Sequence, residues 1–207
     1  MATFFVFAIG FLAQILFSAR LLLQWVQSEW MKKVLTPVLF WKLSLIASFL
    51  LFVYGWLRAD LAIVLGQSLT YFIYIRNMQL QKTWGKIPLL LRVFLFIFPL
   101  IIVGYLYLNN QLDLHLLFNN KDIPRLLMYW GIFGQITFTL RFIYQWIISE
   151  RNKESLLPLG FWILSVVGSL MILIYAVLRK DPVLFVGQIF GFVVYIRNIV
   201  LCVKYPR

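Results

Sequence analysis

Acidic residues, histidine and cysteine are nearly missing from this chain. Seven carboxylates, one histidine and one cysteine are spread over 207 residues. The lone Cys202 excludes an internal disulfide framework and a cysteine-rich metal site. His115 stands in an unrepeated stretch, 109–126, with no partner pattern around it. Zinc-ligand spacing and a glycine-rich phosphate loop are both lacking. The carboxylates all fall at the ends of apolar runs or between them, so the mid-membrane acid of a proton- or sodium-coupled relay is missing. No catalytic residue, metal ligand or cofactor is therefore expected, and any transport should be facilitated rather than ion-driven.

Charge is scarce as well. Charged residues make up 13% of the chain, about half the share of an ordinary soluble domain, while 63% of residues are apolar. A domain of this size leaves much of its surface outside any core, so that much apolar surface needs lipid as its solvent. Seven runs are long enough to cross a bilayer, at roughly 3–26, 38–57, 61–79, 87–108, 127–148, 159–178 and 182–202. The net charge of +12 comes from basic residues between these runs, where they meet anionic lipid headgroups and set topology. No basic stripe carries interleaved stacking aromatics, which argues against nucleic acid as a partner. The first twenty residues resemble a signal peptide but lack its basic start, and their pattern recurs later in the chain. A retained helix is expected there.

The recurrence is the strongest signal. A shift of 121 residues aligns 10–77 with 131–198 without a gap, giving 27 identities over 68 positions. Gln14, Arg20, Gln24, Trp25, Ser28 and Glu29 fall on Gln135, Arg141, Gln145, Trp146, Ser149 and Glu150. Pro37, Phe40, Trp41, Ser44 and Ser48 fall on Pro158, Phe161, Trp162, Ser165 and Ser169. Tyr54, Arg58, Asp60, Gly66, Gln67, Tyr74, Arg76 and Asn77 fall on Tyr175, Arg179, Asp181, Gly187, Gln188, Tyr195, Arg197 and Asn198. A shared apolar bias can match Leu with Leu, but not this set of Gln, Trp, Arg and Asn. The chain is a duplication.

Three spans per copy and one between them return the chain to its starting side, so the two copies enter the membrane in the same direction. The expected architecture is an all-α membrane protein. Seven transmembrane helices form two parallel three-helix bundles joined by one linker helix. Residues 1–80 form the first repeat, 81–126 the linker helix and outer loop, and 127–207 the second repeat. Eleven Lys and Arg residues lie on the side of the C-terminus, among them Lys32, Lys33, Lys82 and Lys153, against five on the other side. The positive-inside rule then places the N-terminus outside and the C-terminus in the cytoplasm.

At about 100° per residue, Gly10, Gln14, Phe17, Gln24 and Ser28 share a stripe of the first helix, flanked by Arg20 and Trp25. Trp41, Ser44 and Ser48 share one on the second, and Gln67, Thr70, Tyr74 and Asn77 one on the third. Polar groups in hydrocarbon need partners, so these stripes should turn inward. Two readings stay open: the residues bond helix to helix, or they line a polar site. Arg20 and Arg141 lie about six residues from the end of their helices, within reach of snorkelling, or they bind an anion. Glu29 and Glu150 sit on the opposite face of the same helix, so pairing with Arg20 or Arg141 inside that helix is excluded. Asp60 and Asp181, the latter followed by Pro182, carry a helix-start signature.

The pattern Gln-x5-Arg-x3-Gln-Trp-x2-Ser-Glu, Pro-x2-Phe-Trp-x2-Ser, Tyr-x2-Leu-Arg-x-Asp, Gly-Gln and Tyr-Ile-Arg-Asn resembles the lipid A biosynthesis N-terminal domain family, in two tandem copies. That family is similar in turn to the PQ-loop superfamily of SemiSWEET and SWEET sugar carriers. The resemblance implies a SWEET-like three-plus-one-plus-three layout and the bacterial inner membrane. The Pro-Gln pair of the PQ-loop proteins is absent, with Gln24-Trp25 and Gln145-Trp146 in a comparable place. The soluble glycosyltransferase part of a lipid-A-disaccharide synthase is absent too.

Together these readings point to a facilitative carrier or flippase for a sugar or lipid-linked sugar of envelope glycolipid synthesis. Substrate would sit between the two three-helix units near mid-membrane, contacted by Gln67, Gln188, Asn77, Asn198, Trp41, Trp162, Gln14 and Gln135. Arg20 and Arg141 would meet a phosphate or carboxylate. The alternative is a non-catalytic membrane subunit or anchor for a lipid A glycosyltransferase. Expected partners are membrane lipids, the sugar substrate and envelope glycolipid enzymes.

Overall fold

The computed structural model describes residues 2–57, 61–109, 124–180 and 182–205. Among these the regular structure is entirely helical. Seven long helices follow in order: α1 (Ala2–Met31), α2 (Val38–Leu57), α3 (Leu61–Leu80), α4 (Leu89–Leu108), α5 (Arg125–Asn152), α6 (Leu159–Leu178) and α7 (Pro182–Lys204), with one short 3-10 turn at Trp84–Lys86. Five of them, α1, α2, α4, α5 and α6, are long and apolar enough to cross a membrane. The 20 and 23 residues of α3 and α7 give lengths of roughly 30 Å at 1.5 Å per residue, which also matches a bilayer. This is a membrane protein. Asp60, Asp181, Arg58 and His115 lie outside the described residues.

The first helix of each copy runs further than its apolar stretch. α1 continues to Met31 and α5 to Asn152, because the polar residues of the last turns find partners inside the protein. Each then stops in a left-handed cap. Lys33 and Glu154 donate their backbone N–H groups to the carbonyls of Ser28 and Ser149, both at 3.2 Å, with Lys32 (φ 52°) and Lys153 (φ 53°) at the turn. Lys82 and Lys180 adopt the same conformation after α3 and α6. All four positions usually held by glycine thus carry lysine, whose charge favours a helix C-terminus and whose stem reaches the membrane surface.

These terms can be weighed against each other. The left-handed conformation costs an L-residue about 1–2 kcal/mol, and a cation at a helix C-terminus returns about 0.3–1 kcal/mol. Lys82→Gly is therefore expected to raise stability by about 1 kcal/mol, read by thermal unfolding in detergent. Lys153→Gly should gain less, because Lys153 also pairs with Glu150 at 2.8 Å. An equal gain at both positions would show that the ion pair contributes nothing.

The structure divides into two compact units. The first takes α1 up to Arg20 together with α2, α3 and α4. A Cβ added at Gly10 of α1 would stand 2.9 Å from the Tyr54 ring of α2, so the ring rests on bare backbone. Phe52, Val64, Ile102 and Leu106 form an apolar core joining α2, α3 and α4. Elsewhere α4 shows its side chains to the surroundings, as Leu90 and Leu108 do, which fits a lipid-facing helix.

The second unit takes Leu21–Pro37 together with α5, α6 and α7. The later turns of α1 therefore belong with the helices of the second copy. α6 packs against both α5 and α7. It comes close to α5 at Gly168, where an added Cβ would stand 2.8 Å from the Phe138 backbone.

Candidate functional site

Each unit holds one buried arginine with the repeated aromatic and serine residues around it. In the first, Arg20 of α1 is 5% exposed and donates from Nη1 to Ser44 Oγ of α2 at 2.5 Å. Ser44 Oγ in turn donates a hydrogen bond to the Phe40 carbonyl at 2.5 Å. The guanidinium carbon lies 4.6 Å from the Phe17 ring centre, 5.0 Å from Phe40 and 5.4 Å from Tyr74 of α3. Trp41 is fully buried beside it, its ring 4.8 Å from Phe40 and 5.9 Å from Tyr74.

The second unit repeats the arrangement. Arg141, 4% exposed, donates to Ser165 Oγ at 3.2 Å, and Ser165 donates to the Phe161 carbonyl at 2.6 Å. The rings are Phe138 at 3.5 Å, Phe142 at 4.7 Å, Tyr195 at 5.3 Å and Phe161 at 5.4 Å. Trp162 packs on Phe161 at 4.9 Å and Tyr195 at 6.1 Å. The two arginines thus do not snorkel. Their charge is held by hydroxyls and by the faces of aromatic rings, each desolvated ring contact contributing about 2 kcal/mol.

The Gln-x3-Ser pair of each first helix has a local task that residue spacing alone did not show. Gln24 Nε2 reaches Ser28 Oγ at 2.9 Å and the Leu35 carbonyl at 3.4 Å, and the Leu35 N–H donates to Ser28 Oγ at 3.0 Å. In the second copy Gln145 Nε2 reaches Ser149 Oγ at 2.7 Å and the Leu156 carbonyl at 2.8 Å, and the Leu156 N–H donates to Ser149 Oγ at 3.0 Å. Both loops are clamped to the helix they leave. The only signal for this was Leu35 matching Leu156 in the 121-residue shift.

Gln24 also meets the other copy. Its Nε2 donates to Asn198 Oδ1 of α7 at 2.8 Å, and Asn198 Nδ2 donates back to Gln24 Oε1 at 3.2 Å. Both amides are fully buried. One residue earlier on α7, Arg197 donates to both carboxylate oxygens of Glu29, with Nη2 at 2.9 Å from Oε2. Trp25 Nε1 donates to the same carboxylate at 3.0 Å. Thus Arg-Asn of the second copy reads Gln-Trp-x2-Ser-Glu of the first.

The remaining expected site residues fall in different surroundings. Asn77 is fully buried and donates to the Ile73 carbonyl at 2.9 Å. Gln67 accepts from Ser48 Oγ at 2.7 Å. Its counterpart Gln188 is half-buried, and Ser169 donates instead to the Val166 carbonyl at 3.1 Å. Gln14 and Gln135 are exposed. The burial of Ala13, Arg20 and Gln24 shows why: the inward face of α1 is centred on their side, and Gln14 lies about 80° around the helix from Gln24.

A family model for the Lipid A Biosynthesis N-terminal domain matches residues 9–79 and 130–200, one segment for each arginine cluster. The chain belongs to this family. Similar proteins include the lipid-A-disaccharide synthase of Chlamydia felis (strain Fe/C-56), 29% identical over 213 residues that cover 97% of this chain and 34% of the relative. The synthase of Chlamydia caviae is 28% identical over 210 residues, with the same coverage of 97% and 34%. That of Chlamydia trachomatis serovar D is 26% identical over 196 residues, covering 87% and 31%. This chain therefore spans about a third of the length of the relatives it matches. No solved structure matches it significantly.

Proposed function

We propose that the chain is a facilitative carrier or flippase for a sugar or lipid-linked sugar, serving lipid A-type glycolipid synthesis in the bacterial inner membrane. The observation that supports this most is Trp162. Its indole N–H is fully buried and has no acceptor among the described residues, and leaving a buried donor unsatisfied costs about 1–3 kcal/mol. A ligand hydroxyl or ring oxygen would satisfy it. Gln188, half-buried on α7, supplies amide groups suited to the same kind of ligand. Gln67, Asn77, Asn198, Trp41, Gln14 and Gln135 are proposed as the further contacts. Arg20 and Arg141 would meet the phosphate of a lipid-linked sugar. In this reading all seven helices cross the membrane in a SWEET-like three-plus-one-plus-three layout, with the C-terminus in the cytoplasm.

Two variants test the proposal. Trp162→Phe keeps an aromatic ring and removes the orphan donor. It is expected to leave folding intact and lower flux of the transported sugar at least tenfold in proteoliposomes. The double variant Gln67→Leu, Gln188→Leu should abolish flux while the protein remains monodisperse. Unchanged flux in either variant would remove those residues from the site.

A second reading has its own support, since the similar synthases join such a segment to about twice its length of other sequence. In it the chain is a non-catalytic membrane anchor for a lipid A glycosyltransferase. A carrier moves sugar alone in liposomes, whereas an anchor moves none and changes the activity of the enzyme it holds.

A further inference from the structure

We infer that the contact between the last turns of α1 and α7 is a latch that closes the protein on the side of its C-terminus. It rests on the carrier reading only for what passes when it opens. The latch has two layers. Toward the helix ends, Glu29 takes hydrogen bonds from Arg197 and from Trp25. This layer is partly exposed, with the Arg197 side chain 44% and the Glu29 side chain 26% accessible. A little more than one turn deeper along α1, and at the neighbouring position on α7, Gln24 and Asn198 exchange two hydrogen bonds and are wholly shielded. Val194, whose carbonyl accepts from Asn198 at 2.9 Å, lies another turn further in and is fully buried.

Permanent closure would call for a different chemistry. Two helices that never part are better joined by apolar packing and small residues, which need no partner when buried. Here the outer layer is an ion pair that water can reach, and such pairs hold only weakly. The inner layer is a pair of amides, each able to turn to water once the seam admits it. Breaking either layer in a wetted seam leaves no group without a partner, whereas breaking it in a dry one does. Opening is thus coupled to entry of water, as a gate requires. The residues also come from both copies of the repeat, so the latch ties the end of one copy's first helix to the other copy's third.

The test reads access rather than transport. In a Cys202→Ser background, Val194→Cys is treated with a membrane-impermeant maleimide in vesicles of each orientation. With the latch intact, labelling should be slow from both faces. Glu29→Gln should raise the rate about threefold from the C-terminal side alone, in line with the small worth of an exposed ion pair, and Asn198→Ala more. The exchange of Glu29→Arg with Arg197→Glu should restore the slow rate, which separates latch opening from misfolding. Labelling of Val194→Cys unchanged by both Glu29→Gln and Asn198→Ala would overturn the latch. Accelerated labelling with no flux of any sugar would keep the latch and overturn the carrier.

Discussion

Gly168→Val is expected to destabilise the protein by about 3 kcal/mol, and even Gly168→Ala should lower its melting temperature. Two terms oppose each other at this position. Alanine improves helix propensity over glycine by about 1 kcal/mol. Its Cβ, however, would stand 2.8 Å from both the Cα and the backbone nitrogen of Phe138, and backbone cannot swing aside as a side chain can. Overpacking of this kind costs about 1–3 kcal/mol, so sterics should win. The first copy has Ala47 at the matching position, fully buried. There the reverse change, Ala47→Gly, should cost only the propensity term. Thermal unfolding of the four proteins in one detergent checks the set. A Gly168→Ala variant as stable as wild type would show that α5 and α6 can part without penalty.

The second large effect concerns the amide pair. Asn198→Leu keeps the side chain's size and leaves Gln24 Oε1 without its donor in a buried site, while Gln24 Nε2 retains Ser28. Interhelical hydrogen bonds in membranes average about 0.6 kcal/mol, with an upper range near 1.7, and an orphaned buried acceptor adds about 1–3 kcal/mol. A loss of about 2 kcal/mol is expected. Gln24→Leu should cost more, since it also releases the Leu35 loop. The double variant should cost less than the sum of the two, with a coupling of about 1 kcal/mol or more. Strict additivity would mean that the two amides do not support each other.

Much of this was legible in the chain itself. The seven apolar runs match seven helices because a run of about 20 apolar residues has few other stable forms in lipid. Identity between the copies marked Arg20, Trp41, Ser44, Tyr74 and Asn77 together, and the structure buries all five. The fate of Gln14 was not legible. A stripe about 80° wide leaves open which of its edges faces inward, and only packing against α2 and α3 decides that. Nor was the partner of Gln24, since spacing gives the face of a helix but never the residue opposite, here 174 positions away. The length of α1 and α5 was missed for a related reason. Hydropathy ends where polar residues begin, whereas the helix ends where its backbone is capped, at Lys32 and Lys153.

The arginine clusters show how physical detail changes a sequence inference. Residue spacing left both snorkelling and anion binding open for the guanidinium. Instead the aromatic residues of the Phe-Trp and Tyr-Ile-Arg-Asn motifs enclose it, and the serine hydroxyl takes one of its N–H groups. The motif is thus a solvent substitute for a cation inside an apolar helix set.

The most direct test of the carrier proposal is flux through the wild-type protein reconstituted alone in liposomes. Labelled free sugars and labelled polyprenyl-phosphate sugars are each supplied to one leaflet or compartment. The carrier reading predicts protein-dependent, ion-gradient-independent movement of at least one of them, lost in the Gln67→Leu, Gln188→Leu variant. Equal rates in protein-containing and empty liposomes for every sugar and lipid-linked sugar would contradict it.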